Sequence, residues 1–337
     1  MKELVLRKGA DRRLRGGHLW VYSNEVNAGI TALGDFDSGD EVIVRAANGD
    51  NLGSAYMEPQ SLICGRLYAP VREQQLDEAF FREQISAALA LREAAFSRPF
   101  YRLVYGDSDF LPGVIVDRFG DYLVLQLNNP GLERYRDVIV SAIVSVIAPA
   151  GILLRSDSRS RREQGIEDGA EVVYGEVPEE IQIEENGVRF NVPVFAGQKT
   201  GWFYDHRVSR ARLSHWVDGK SVLDVYSYIG GWGVQAAVAG AGEVCCIDSS
   251  SKALDWLEIN AKLNDVSSKV SLIQGAAADA MGAMHQQGKC FDVIVLDPPA
   301  FIQRRKDMKK GIAAYRKINQ LALKLLNPRG LLVSASC

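Results

Sequence analysis

The sequence predicts a multidomain α/β protein: a small N-terminal β-barrel-like domain, a central α+β domain and a C-terminal Rossmann-like domain. Three observations carry this reading. The chain has 337 residues, more than one ordinary core organises. Short strands with turn signals fill residues 1–70. From about residue 198, apolar strands alternate with helical stretches, which means a parallel sheet wound with helices.

Apolar content of 47% and charged content of 24% fit a soluble globular protein. No apolar run approaches the roughly 20 residues needed to cross a bilayer. The N-terminus lacks the apolar core of a secretory signal. A cytoplasmic location with no membrane partner is therefore expected. The five cysteines, Cys64, Cys245, Cys246, Cys290 and Cys337, form no CxxC pair, and His18, His206, His215 and His285 show no ligand spacing. Neither a disulfide framework nor a metal site is signalled.

Net charge is −3, but it is unevenly spread. Residues 1–70 hold 8 basic and 9 acidic residues, residues 71–190 hold 13 and 21, and residues 191–337 hold 18 and 12. A positive C-terminal third beside an acidic middle suits a protein with one face on a polyanion, and equally an ordinary solvated surface.

In the first domain, "ELVLRKG", "EVIVRAANGDNLGSAYM" and "SLICGRLY" read as strands, with a hairpin at "NGDNLG". The first twenty residues carry six cations, Arg12, Arg13 and Arg15 among them, against two acids. Trp20 and Tyr22 follow. Cations with aromatics grip phosphates and stack on unpaired bases. A strand with a solvated basic face has the same composition.

The central domain, roughly 73–185, opens with a helix over 76–96, where apolar residues recur at three-and-four spacing after Asp77. Strands follow in "GDSDFLPGVIVDRFGDYLVLQL", then a helix in "RYRDVIVSAIVSVI". "GILLR" runs into a loop with Arg155, Arg159, Arg161 and Arg162. "EIQIEENGVRFNVPV" is a hairpin closed by Asn186-Gly187.

The C-terminal domain, 190–337, has strands "SVLDVYSY", "EVCCID", "KVSLIQG", "FDVIVLD" and "GLLVSAS". The alternation stops there, on Cys337. The domain is thus expected to be truncated after its fifth strand, as a fragment or a shortened, inactive form.

"LDVYSYIGGWG" ends the first strand. Gly230, Gly231 and Gly233 allow a tight turn and a close backbone approach. The nicotinamide spacing G-x-G-x-x-G is absent. Asp224, still on the strand, suits an amine-bearing ligand better than a pyrophosphate, which points to S-adenosylmethionine (SAM). Asp248 ends the second strand, where a carboxylate meets ribose hydroxyls. Asp279, after the third, is placed to meet the adenine amino group. Tyr226 and Ser249 flank these positions and join the cofactor set.

"LDPPAFIQRRK" ends the fourth strand. Two prolines fix the exit of the chain and hold Asp297 at the carboxyl edge of the sheet. Phe301 can stack on a base, and Arg304, Arg305, Lys306, Lys309 and Lys310 can bind the phosphates around it. If the fifth strand lies beside the fourth, Cys337 sits next to Asp297. A thiol and an acid so placed suit methylation of cytosine C5: the thiolate adds to C6, the carboxyl group stabilises charge at N3, and C5 becomes nucleophilic. The target base must be unpaired or flipped out. Cys64, Cys245, Cys246 and Cys290, in or beside apolar runs, are read as small buried hydrophobes.

With these residues in place, the chain resembles the ribosomal large subunit methyltransferase I family, SAM-dependent 23S rRNA cytosine-C5 methyltransferases with an N-terminal PUA domain. "DVYSYIGGWG", "LDPPAF", "SASC" and "GQKTGWFYDHR" (197–207) carry the resemblance, which covers nearly the whole chain. It implies Cys337 as nucleophile, Asp297 as its partner, SAM as cofactor, and Lys199, Phe203, Asp205 and Arg207 near the cofactor mouth. From the residues alone, "YDHR" could equally be a helix cap. The implied partner is 23S rRNA, free or in a partly assembled subunit; a homodimer is compatible with the sequence. Two rivals stand beside this reading. One is an amino-methyltransferase acting on adenine or guanine N atoms, which needs no thiol. The other is a truncated, non-catalytic RNA-binding protein.

Overall fold

The computed structural model describes residues 1–155, 169–302 and 304–336. Arg159, Arg161, Arg162 and Cys337 lie outside the described residues. Two units organise the chain: Met1–Glu179 with Val194–Trp202, and Glu180–Pro193 with Phe203–Cys337. The chain therefore passes from one to the other three times, after residues 179, 193 and 202.

In the first unit, strands β1 (Lys2–Val5), β2 (Trp20–Tyr22), β3 (Glu41–Arg45), β4 (Asn51–Met57) and β5 (Ile63–Pro70) form a sheet ordered β1-β3-β4-β5-β2, and α1 (Arg12–Arg15) carries the first basic cluster. Leu4, Val21, Val42, Val44, Ala55 and Leu67 fill its core. Helix α2 (Glu78–Ala95) starts on Asp77, whose side chain accepts from Phe80 N at 2.8 Å. Phe80, Phe81, Ile85 and Ala88 form its buried stripe, each large side chain contributing about 1.5–3 kcal/mol by leaving water.

Strands β6 (Phe100–Tyr105), β7 (Val114–Phe119), β8 (Tyr122–Leu127), β9 (Gly151–Arg155) and β10 (Ala170–Gly175) form a second sheet, ordered β10-β9-β8-β7-β6, with α3 (Arg136–Ile147) between β8 and β9 in sequence. Only β8 and β9 pair in parallel. Tyr56 and Tyr68 of the first sheet share one core with Phe80, Phe81, Leu103 and Leu125. Tyr56 OH, fully buried, donates to Pro112 O at 2.9 Å.

The second unit begins with the hairpin β11 (Glu180–Glu185) and β12 (Val188–Pro193). Asn186 (φ 54°) and Gly187 (φ 78°) are both left-handed, as the two-residue turn requires. The hairpin packs on a helix of the same unit: Asn191 N donates to Asn260 Oδ1 at 2.8 Å and Arg189 Nη2 to Leu263 O at 2.9 Å.

Next come α4 (Arg207–Leu213), β13 (Ser221–Val225), α5 (Gly233–Val238), β14 (Glu243–Asp248), α6 (Ser251–Leu263), β15 (Val270–Gln274), α7 (Ala277–Gln286), β16 (Phe291–Leu296), α8 (Met308–Leu325) and β17 (Leu326–Ser334). The sheet order is β15-β14-β13-β16-β17, and every pair is parallel. This is the multidomain α/β architecture expected. The order reverses between β13 and β16, and at such a point ligands bind beyond the carboxyl ends of the strands. One expectation fails: Cys290 is exposed, whereas Cys64, Cys245 and Cys246 are buried. Cys290 falls in the irregular stretch between the turn at 287–288 and β16, just ahead of the apolar run.

Candidate active site

Asp224 stands on β13, fully buried. Its Oδ2 accepts from Gly233 N at 2.8 Å, and its Oδ1 has no hydrogen-bond partner among the described residues. Burial pushes its pKa up to about 7, against the Gly233 hydrogen bond and with the help of the nearby Asp297 and Asp248 charges. A carboxylate oxygen without a partner is what an amine-bearing ligand would satisfy.

The loop after β13 has left-handed backbone at Tyr226 (φ 68°), Tyr228 (φ 48°) and Gly230 (φ 93°). Such conformations in non-glycine residues cost about 1–3 kcal/mol each and persist where surroundings enforce them. Asp248 does the enforcing: its Oδ2 accepts from Tyr228 N and its Oδ1 from Ser250 N, both at 2.9 Å. A Cβ on Gly233 would lie 2.5 Å from Cys246 Sγ and 3.0 Å from Asp224 Oδ2. The glycine thus lets α5 start directly against β13 and β14, and Gly231 is half-buried in the same turn. An acid, a glycine cradle and an orphaned buried oxygen fit the amino acid end of SAM. Ser249 and Asp279 are exposed beyond β14 and on the first turn of α7.

Asp297 follows β16 directly. Its Oδ2 accepts from Trp232 Nε1 at 3.0 Å, and His206 Nε2 lies 3.4 Å from its Oδ1. Burial works against its charge, but the hydrogen bonds from His206 and Trp232 outweigh it and hold the pKa below the usual carboxylate range. The same contact raises the pKa of His206 against partial burial. Behind Trp232, the Arg210 guanidinium lies 5.9 Å from its ring centre. Arg210 is itself buried and pairs with Glu185 at 2.6 Å, and Gln235 donates to the same Glu185 oxygen. The sequence reading missed His206, Trp232, Arg210 and Glu185. His206 stood in plain view within "YDHR", next to two residues that were assigned.

Aromatic rings line the same end of the sheet. Phe203 meets Tyr228 edge-on at 5.5 Å, and Phe301 packs against Tyr226 at 6.4 Å and Tyr315 at 4.7 Å. Asp205 does not cap α4: its Oδ1 accepts from His206 N at 3.1 Å, and His206 is the N-cap residue, without a side-chain cap bond. Arg207 opens α4, and Lys199 belongs to the first unit, with φ 50°.

Cys337 lies outside the described residues. The strand leading to it does run beside β16: Leu296 is in register with Ser334, and Ala335 N donates to Leu296 O at 2.8 Å. Arg304, Arg305, Lys306, Lys309 and Lys310 are all exposed, and Arg316, Lys317 and Lys324 continue the exposed cations along α8. In the first unit, Arg13 is paired with Glu25 at 3.0 Å and Arg15 with Asp11 and Asp50 at 2.6 Å, whereas Arg12 has no partner among the described residues.

The profile of the S-adenosylmethionine-dependent methyltransferase family matches residues 128–337, and that of a PUA-like domain matches residues 4–70. Ribosomal RNA large subunit methyltransferase I of Aliivibrio fischeri is 36% identical over 99% of this chain and 85% of its own length. The protein of that name from Shewanella denitrificans is 37% identical with the same coverage. A solved structure assigned as a methyltransferase and complexed with SAH is 25% identical, with a TM-score of 0.85 over 99% of this chain and 85% of that one. A Streptococcus mutans structure assigned as a SAM-dependent methyltransferase shares the fold at 24% identity and a TM-score of 0.82, with the same coverage.

Proposed function

The chain belongs to the ribosomal RNA large subunit methyltransferase I family, and from that premise we propose that it forms 5-methylcytosine in 23S rRNA. Cofactor and substrate class come with the family: SAM and large-subunit rRNA. The finer reading rests on one observation, Asp297 at the switch point of the sheet, held against a proton-bearing His206 and flanked by Trp232.

Asp224, the 226–233 loop and Asp248 would hold SAM, with Asp279 and Ser249 toward the nucleoside. When bound, SAM supplies an electrophilic methyl group. The Cys337 thiolate adds to cytosine C6, and the C5–C6 electron pair shifts toward C5 and N3. His206 carries the pair's proton, and as charge develops at N3 that proton passes through the Asp297 carboxyl to N3, leaving His206 neutral. After C5 is methylated, a solvent base takes the C5 proton, that C–H electron pair restores the C5–C6 double bond and expels the thiolate, and N3 returns its proton to the Asp297–His206 pair. Atoms balance: the ring exchanges one hydrogen for one methyl. The pairing of β17 with β16 supports this reading, since it brings the chain as far as Ala335 alongside Leu296, the residue before Asp297. We place rRNA phosphates along Arg304–Lys310 and at Arg12, with residues 1–70 as an RNA-binding domain, 73–185 as a central domain and 190–337 as the catalytic domain. A free or partly assembled subunit is the substrate, because the base must leave its stack.

A second reading is favoured by the ionised state of Asp297, which could accept an N–H from an exocyclic amine with no thiol involved. Labelled SAM and 23S rRNA separate the two. Mapping should find methyl on cytosine C5, and Cys337→Ala should abolish it. Methyl on a base nitrogen, or turnover surviving Cys337→Ala, overturns the cytosine reading.

A further inference from the structure

The first unit holds an open cavity of about 460 Å³ that the reaction above does not use, lined by Arg66, Tyr105, Asp107 and Asn129 among others. Ligand clefts span about 300–1,000 Å³. Three groups at this one are incompletely matched. Asp107 Oδ2 accepts from Trp20 Nε1 at 3.0 Å, but its Oδ1 is buried with no hydrogen-bond partner among the described residues. Arg66 lies over the Trp20 ring at 5.6 Å. With the Asn129 amide turned so that both its ends are satisfied, Asn129 Oδ1 accepts from Arg66 Nε at 3.2 Å and from Tyr56 OH at 2.6 Å, the hydroxyl proton then turning from Pro112 O to Asn129. The two terminal amino groups of Arg66 have no hydrogen-bond partner among the described residues. The Tyr105 ring is 55% exposed, with the Arg102 guanidinium 5.4 Å from its centre.

A buried polar atom left unpaired costs about 1–3 kcal/mol, and is tolerated where binding relieves it. The matching ligand has a flat ring for Tyr105, N–H donors for Asp107, and an acceptor or anion for Arg66. Adenine and cytosine offer an amino group beside an acceptor nitrogen. Guanine offers two adjacent donors, N1–H and N2–H, with O6 and N7 as acceptors for an arginine. Oδ1 reaches them by a side-chain rotation of the kind common on binding. We propose that this cavity binds an unpaired guanine nucleotide of the substrate RNA, a second nucleotide that is not itself methylated. The inference rests on RNA being the substrate.

Fluorescence anisotropy of the full chain with short adenosine oligomers tests it, the central base being guanine, hypoxanthine or adenine. Guanine should bind about tenfold tighter than adenine, with hypoxanthine, which lacks the 2-amino group, in between. Asp107→Asn replaces one of the two carboxylate acceptors with an NH2 donor, so the side chain can no longer take both the Trp20 and the guanine donors and the guanine preference should vanish. Tyr105→Ala removes an exposed ring and should weaken every oligomer about tenfold; it decides the matter should Asp107→Asn fail to fold. Equal affinity for guanine and adenine, or binding unchanged by Tyr105→Ala, overturns the proposal. Methyl transfer to 23S rRNA is followed in parallel: its absence from the wild type overturns the underlying RNA reading, whereas intact transfer without guanine preference overturns the cavity alone.

Discussion

Asp297 is gripped from two sides, by Trp232 Nε1 at 3.0 Å and by His206 Nε2 at 3.4 Å, both from outside the double-proline turn that carries it. His206 is raised by its hydrogen bond to Asp297, and Asp297 is lowered by the same bond together with that from Trp232, in spite of burial. The histidine's share of stability is complete below its unfolded pKa of about 6.5 and is lost as pH rises through its folded value. The aspartate's share is present above about 3.9 and is lost as pH falls through its lowered value. Urea midpoints should therefore fall from about pH 6.5 upward, and His206→Gln should flatten that limb. The same variant should slow methyl transfer about a hundredfold, the usual range for a lost proton-transfer group. A wild-type rate with an unchanged urea profile would exclude the pairing.

Asp224 gives opposite signs for stability and for ligand binding. Without ligand, its folded pKa of about 7 means that the native state holds a proton the unfolded chain releases near 3.9. Stability should thus decline as pH rises between those values. An amine-bearing cofactor prefers the ionised form. SAM affinity, measured by calorimetry, should accordingly tighten about tenfold from about pH 5.5 to 7.5. Asp224→Asn should weaken binding and remove both trends.

Gly233→Ala adds a Cβ 2.5 Å from Cys246 Sγ and 3.0 Å from Asp224 Oδ2. Neither neighbour has room to retreat in a buried strand, so α5 must shift. Overpacking of this kind costs about 1–3 kcal/mol. Thermal unfolding should register that loss, and SAM binding should weaken more than tenfold, because the displaced helix start belongs to the proposed cofactor cradle.

Arg210→Met leaves Glu185 buried without its cation. Breaking one side of such a pair costs about 3–5 kcal/mol, whereas replacing both partners with apolar groups is often neutral. The single variant should therefore unfold at much lower urea, and Arg210→Met with Glu185→Leu should recover most of the loss. Equal destabilisation in the two would mean that Gln235 and the Phe203 carbonyl, which also bind this pair, matter more than the charges.

The C-terminal half of the fold was legible because its signals are local. Val-Ile-Val-Leu runs, a glycine turn and Asp-Pro-Pro each act within a few residues, and the expected strands appear where those runs lie. The Asn186-Gly187 turn and the Asp77 cap were legible for the same reason. Strands β6 and β10 were missed. "FYRLVY" follows a helix without a strong turn signal of the expected kind, and "AEVVYG" is an exposed edge whose identity comes from pairing with β9. His206, Trp232 and Arg210 were missed because their roles exist only after folding: the contacts with Asp297 span 91 and 65 residues of sequence, and no spacing rule reaches that far. The N-terminal cations show the converse error, since composition could not reveal that Arg13 and Arg15 already face Glu25, Asp11 and Asp50.

The interlaced path of the chain limits how this protein can be taken apart or recombined. Residues 203–337 look like a self-sufficient module, yet the Glu185 that neutralises Arg210 and the Asn191 that engages Asn260 arrive on a hairpin inserted from upstream. A gene fusion or deletion that transplants the sheet as one contiguous block would leave those groups behind. The unit can be inherited only with its detour intact.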